Sequence, residues 1–243
     1  MDTSKTADVR VNDTFLAPLE RPVLQWFCKH MPARMTPDIL TVIGIIGGIV
    51  MAAAYWLCNV NKNFLWIVDL GLLINWFGDS LDGSLARYRR IERFKYGYFV
   101  DHTVDITTQT IVCLGLGVSP FVNFNYALLA LVGYLLLGIL TYIDTAVSGV
   151  YKISYGKIGP TEVRVILMGL NAIFYFASNP LIRIGRVSIF SFDAIMLCVA
   201  IAFFLYFLGF TFLRMRELNV QDPPKRNPLQ RQSYQPGVSR KVL

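Results

Sequence analysis

The chain has 243 residues, of which 54% are hydrophobic and only 16% charged, and its formal net charge is +7. Soluble domains carry roughly 25% charged residues, so a water-soluble globular protein is excluded and an integral membrane protein is expected. The cations cluster beside apolar runs, which points to an anionic membrane surface as the partner and away from nucleic acid.

Residues 1–14 are polar and hold no apolar stretch of the kind a cleavable leader needs, so none is expected. Over 15–32, Phe15, Leu16, Leu19, Val23, Trp26, Phe27 and Met31 recur at near-helical spacing, with Glu20, Arg21, Gln25 and Lys29 on the other side. The run is too polar to cross a bilayer. It predicts an interfacial amphipathic helix with Trp26 at headgroup level, a face packed on the bundle being the alternative. Pro18 and Pro22 are expected to limit its start. Thr36 is a fitting N-cap and Pro37 a fitting first residue for the helix that follows.

Six apolar stretches then come at about 39–58, 63 into the acidic motif described below, 97–118, 126–147, 162–178 and 188–213. Each is close to the roughly 20 residues that cross a bilayer. Residues 36–218 are therefore expected to form an all-α bundle of six transmembrane helices. Gly44-x-x-x-Gly48 in the first allows close helix approach. Residues 219–243, with prolines and cations, predict a disordered basic tail. The four cysteines form no CxxC pair, and the three that lie in apolar runs are expected to be inert packing residues. All Lys and Arg except Lys62, Arg183 and Arg186 fall on the side of the termini, which the positive-inside rule assigns to the cytoplasm.

Between the second and third spans runs DSLDGSLARYRRIERFKYGYFVDHTVD, residues 79–105. Asp79 and Asp82 are three apart and Asp101 and Asp105 four apart, so each pair shares one helix face. Two helices folding back on each other would bring the four together, a set suited to one or two hard divalent cations. An ion-pair network with Arg87, Arg89, Arg90, Arg93 and Lys95 is the bland reading, but it would not demand the interleaved Gly83, Ala86 and Gly97. Helix rise supports convergence. At about 1.5 Å per residue, Asp79 lies ~24 Å into its span and Asp101 ~27 Å back from the end of the next. That common level is close to the cytoplasmic edge of a hydrocarbon core about 30 Å thick.

Asp79-x-x-Asp82-Gly83-x-x-Ala86-Arg87, nine residues, then Gly97-x-x-x-Asp101-x-x-x-Asp105, resembles the signature of the CDP-alcohol phosphotransferases, with all eight positions filled. The resemblance implies a membrane enzyme of phospholipid synthesis that moves a substituted phosphate group from a CDP-alcohol to an acceptor alcohol and releases CMP. It implies that Asp79, Asp82 and Asp101 hold metal, Mg²⁺ or Mn²⁺ and two ions in all. Asp105 would be the catalytic base and touch the second ion. Gly83, Ala86 and Gly97 would leave room for the nucleotide, and Arg87 suits a phosphate oxygen. Asn75, one turn before Asp79, would orient it or meet the nucleotide, with a plain interhelical bond as the equal alternative. A homodimer is also implied.

Two polarities stay open: CDP-diacylglycerol with a small polar alcohol, or a CDP-aminoalcohol with diacylglycerol. Asp101-His102-x-x-Asp105 is similar to the Asp-His-Gly-Cys-Asp of eukaryotic choline and ethanolamine phosphotransferases, with Thr103-Val104 in place of Gly-Cys. His102 would assist proton transfer or serve at the surface. Thr161-Glu162 carries a weaker likeness to the same enzymes. At the start of the fifth span, Lys157 and Arg164 suit an acceptor or lipid phosphate and Glu162 an amine or arginine, against a plain basic loop on anionic lipid. A transporter or a non-catalytic scaffold with a cation site is the rival reading. A transporter would show repeated halves and ionisable groups near the midplane, and neither is present in the sequence.

Overall fold

The computed structural model describes residues 14–148, 159–184 and 187–223. It is helical apart from one hairpin. The elements are α1 (Ala17–His30), α2 (Pro37–Leu57), α3 (Leu65–Arg89, entered through a 3₁₀ turn at Lys62–Phe64), α4 (Phe94–Gly117), α5 (Phe124–Ser148), α6 (Pro160–Phe176), β1 (Leu181–Ile184), β2 (Val187–Phe190) and α7 (Ser191–Gln221). Four of these helices are long and apolar enough to cross a membrane: α2, α3 with its 3₁₀ entry, α5 and α7. The motif dilutes α4 with Asp101, His102, Asp105 and a run of threonines. α6 has 17 residues, short of the roughly 20 that span a bilayer.

The local rules are visible at the helix ends. Thr36 Oγ1 accepts from Ile39 N at 3.3 Å and Pro37 follows as the first helical residue of α2. α3 ends in a Schellman turn: Ile91 N donates to Ala86 O at 3.0 Å and Arg90 N to Arg87 O at 3.1 Å. Arg90 takes the left-handed position, φ 56°, that glycine usually fills. In α1, Pro18 sits in the first turn, where its missing N–H is not needed. Pro22 does not limit the helix. It lies inside it, on the exposed side, where the unbonded carbonyl can be solvated.

α2 is the centre of the bundle, packing along both α3 and α4. Here the expectation of two motif helices folded directly on each other fails, because α3 and α4 each lie on α2 and have little backbone contact with one another. Glycines explain why. A Cβ on Gly78 would lie 2.3 Å from Gly44 N, and one on Gly47 2.5 Å from Asn75 N, so α2 and α3 meet backbone to backbone. Gly48 faces Thr108 of α4 in the same way, at 2.6 Å from Thr108 Cγ2. The glycine pair of α2 therefore serves two neighbours.

The larger core joins Met51, Tyr55, Leu65, Val68, Leu72, Val112, Leu116, Phe174, Phe192 and Met196. A smaller one lies under α1, where Leu24, Phe27, Cys28 and Met31 pack on Leu40, Phe77, Leu81 and Leu85. Burial pushes the Cys28 thiol up from its ordinary value, and all four cysteines are free. Phe15, Leu19, Val23 and Trp26 stay exposed on the opposite face, so α1 has both a packed and an open apolar side.

The hairpin has no counterpart in the sequence reading, where the sixth span began at 188. Leu181 pairs with Phe190 and Ile182 with Ile189. Residues 187–190 lead into α7 with no intervening loop, so only the pairing sets them apart. Asn179 Oδ1 then accepts from both Ser191 Oγ and Phe192 N at 3.0 Å, which starts α7.

Candidate active site

Three of the four motif aspartates converge. Asp79 on α3 and Asp101 and Asp105 on α4 each offer a carboxylate oxygen within 4.8 Å of the others. Asp82 faces the same cleft, which Thr41, Gly44, Asn75 and Val104 complete, but it is turned toward α2. Its Oδ2 accepts from Thr41 Oγ1 at 2.7 Å and its Oδ1 from Gly83 N at 2.5 Å. Exposure rises across the set: Asp82 is 9% exposed, the side chains of Asp79 and Asp101 are 20% and 31% exposed, and Asp105 is open.

Arg164 enters from the first turns of α6. Its Nη2 donates to Asp79 Oδ2 at 2.5 Å and its Nε to Asn75 Oδ1 at 3.0 Å. The remaining Nη1 is buried without a hydrogen-bond partner. Asn75 also donates to Gly44 O at 3.0 Å, so it serves both as an interhelical bond and as a rest for the arginine. His102 stacks on Tyr98, with ring centroids 4.2 Å apart. Its Nδ1 is 2.8 Å from Tyr98 O and 3.7 Å from Asp101 Oδ2.

Other expected positions fall differently. Glu162 is not presented to a ligand. Its Oε2 accepts from Gly159 N at 2.9 Å, capping α6, and its Oε1 accepts from Leu16 N at 2.6 Å. Lys157 lies outside the described residues. Arg87 is exposed on the last turn of α3, 3.2 Å from Ser84 Oγ, and Ala86 lies half-buried one residue before it. A Cβ on Gly97 would meet nothing within 4 Å, so open space adjoins α4 there. Of the basic run, Arg89 is structural: its guanidinium donates to the carbonyls of Met31, Pro32 and Met35 and holds the α1–α2 connection. Arg93 pairs with Asp38, which raises the already high pKa of its guanidinium.

Sequence reasoning missed Thr41, Glu20 and Trp76. Nothing separates Thr41 from a lipid-facing threonine until α2 is docked on α3. Glu20 was assigned to the polar side of a surface helix, yet its Oε1 accepts from Trp76 Nε1 at 2.7 Å and Thr161 Oγ1 at 2.8 Å.

The cluster's donors are all hard carboxylate oxygens held close despite like charge, a set that suits a hard divalent cation. A family model described as CDP-alcohol phosphatidyltransferase matches residues 34–213, well over half of the chain and both halves of the motif. The chain belongs to the CDP-alcohol phosphatidyltransferase family. An archaetidylinositol phosphate synthase of Pyrococcus horikoshii is 28% identical over 141 residues, 58% of this chain and 70% of the relative. A phosphatidylinositol phosphate synthase of Cutibacterium acnes is 37% identical over 73 residues, 30% of this chain and 33% of the relative. Cholinephosphotransferase 1 of Danio rerio is 23% identical over 154 residues, 59% of this chain and 39% of the relative. The fold is shared with a crystal structure of Mycobacterium tuberculosis phosphatidylinositol phosphate synthase with CDP-DAG bound. The TM-score is 0.54 at 18% identity, covering 79% of this chain and 92% of that one. CDP-alcohol phosphatidyltransferases are transferases of phosphate-containing groups, and this membrane protein is one of them.

Proposed function

We propose that the protein transfers a phosphatidyl group from CDP-diacylglycerol to a small polar alcohol that itself carries a phosphate, with release of CMP. The observation that carries this reading is Arg164. It is directed into the acidic cluster with its Nη1 still unpartnered, a donor suited to an anionic acceptor. The two inositol phosphate synthases among the relatives favour the same polarity. Transfer from a CDP-aminoalcohol to diacylglycerol is the second reading, favoured by the Asp101-His102 likeness and by the cholinephosphotransferase relative. Glu162 lends it no support, because both of its oxygens are engaged by backbone N–H groups.

Asp79, Asp101 and Asp105, with Asp82 beside them, would hold Mg²⁺ or Mn²⁺, two ions in this reading. When bound, the cation would neutralise charge on the diphosphate and polarise the attacked phosphorus. The chain's own groups do the rest. Asp105, the most open of the set, takes the proton from the acceptor hydroxyl as the new P–O bond forms and the bond to CMP breaks. Thr41 and Gly83 N orient Asp82. The open space at Gly97, together with Gly83, Ala86 and Arg87 of α3, would receive the nucleotide. Asn75 and Arg164 set the rotamer of Asp79.

In this reading α4 and α6 join the four long apolar helices as spans. The termini and the site face the cytoplasm, α1 lies on that membrane surface, and two copies associate. Residues 36–218 form the catalytic bundle and 219–243 a basic tail. The test is CMP release by the purified protein in lipid nanodiscs. CDP-diacylglycerol would be offered with inositol phosphate, glycerol phosphate or serine, and CDP-choline with diacylglycerol. Release confined to the phosphate-bearing acceptors is expected. Turnover of CDP-choline instead would establish the second reading, and full turnover in excess chelator would remove the metal.

A further inference from the structure

We propose that Glu20, outside the signature and on the surface helix α1, is a positioning residue that sets α6 against α3 so that Arg164 reaches Asp79. Its carboxylate oxygen accepts from two helices at once, Trp76 Nε1 of α3 at 2.7 Å and Thr161 Oγ1 of α6 at 2.8 Å. Trp76 adjoins Asn75 and precedes Asp79 by three residues, and Thr161 precedes Arg164 by three. Each anchor is therefore about one helical turn from a member of the site. Between those anchors lie the two bonds that place Arg164, to Asp79 at 2.5 Å and to Asn75 at 3.0 Å.

A second fastening fixes the same end of α6. Leu16 N, which leads into α1, donates to Glu162 Oε1 at 2.6 Å. Thr14 Cγ2 fills the place beside Gly159, 2.6 Å from where a Cβ would lie. α1 and the residues leading into it thus hold the start of α6 at residues 159, 161 and 162. The row Leu16, Glu20, Leu24, Phe27 and Cys28 faces the bundle, while Phe15, Leu19, Val23 and Trp26 face outward. A carboxylate on the inward row of a surface helix has no solubility role. A single acceptor shared by donors on two helices fixes their relative register more tightly than either bond alone.

The inference rests on reading the acidic cluster as the reaction centre, and two readouts keep the two claims apart. The first is a double-mutant cycle on CMP release per folded molecule. Glu20→Ala is expected to lower kcat/KM by about 10-fold to 100-fold, the scale of a misplaced group near the chemistry. Glu20→Gln, which keeps an oxygen acceptor, should restore most of it. In an Arg164→Ala background, Glu20→Ala should have no further effect.

The second readout is the rise in thermal midpoint on adding Mg²⁺ alone to metal-free protein. Freeing Asp79 from Arg164 leaves the cluster more negative, so Glu20→Ala and Arg164→Ala should each enlarge the rise, and the double variant no further. Should Glu20→Ala not fold, Trp76→Phe and Thr161→Val remove the same two donors with their packing retained and are expected to enlarge the rise likewise. Effects that add in both cycles, or variants with unaltered kinetics and Mg²⁺ response, would overturn the proposal. Absent CMP release together with a coupled Mg²⁺ response would sink the proposed reaction and leave the positioning role standing.

Discussion

Two sets of carboxylates sit among the apolar helices, and the fold treats them in opposite ways. Asp144 on α5 is matched to Arg214 of α7 in a close ion pair, and Arg214 also reaches Glu217 at 2.6 Å. Asp69 on α3 accepts from Asn171 Nδ2 at 2.7 Å, and Asn171 Oδ1 in turn accepts from the buried Tyr55 hydroxyl at 2.8 Å. In both places an acid meets a partner on a neighbouring helix, and the result is a clamp. Asp79, Asp101 and Asp105 are pressed within 4.8 Å of one another, an arrangement that like charges resist and that the pairing of Asp79 with Arg164 offsets only in part. Acids matched to partners hold helices together. Acids crowded together despite repulsion mark the place where chemistry is expected.

The sharpest test of that contrast is a charge removal on the crowded side. Asp105→Asn keeps shape and removes basicity, so the single-turnover rate should fall by roughly 10²–10⁴-fold while CDP-alcohol still binds. Thermal stability of the metal-free protein should hold or rise, because repulsion is relieved. Asp79→Asn should differ, losing Mg²⁺ response and donor affinity together in calorimetric titration. Equal loss of donor affinity in Asp105→Asn would make Asp105 chiefly a ligand.

Glycines draw the same line between structure and site. Gly78→Ala must push α2 off α3, since its Cβ would lie 2.4 Å from Leu40 O as well as against Gly44. A loss of more than about 3 kcal/mol in stability is expected, read by chemical unfolding in detergent. Gly97→Ala meets nothing, so stability should stay and donor affinity fall if the nucleotide lies there.

On the clamp side, Asn171→Leu removes both bonds and strands the Tyr55 hydroxyl. About 1–3 kcal/mol of stability should be lost, with CMP release per folded molecule unchanged. A fall in turnover would mean that this end of the bundle communicates with the site. The smallest effect belongs to Arg90→Gly, which relieves a left-handed non-glycine residue and should raise stability by about 1 kcal/mol.

The amino-acid sequence alone determined the helical class, the order of the apolar segments and the acidic motif, because hydropathy and i, i+3 or i+4 spacing are local properties. It also marked the α2 cap at Thr36 and Pro37. Its limits were equally physical. That α3 and α4 meet across α2, and not face to face, depends on which glycines find which backbones. That Glu162 caps its own helix, that Arg164 turns to Asp79, and that Glu20 faces inward are choices among partners distant in sequence. Glu20 and Thr161 stand 141 residues apart. A donor and an acceptor so separated leave no period to read, and only the packed fold brings them within reach.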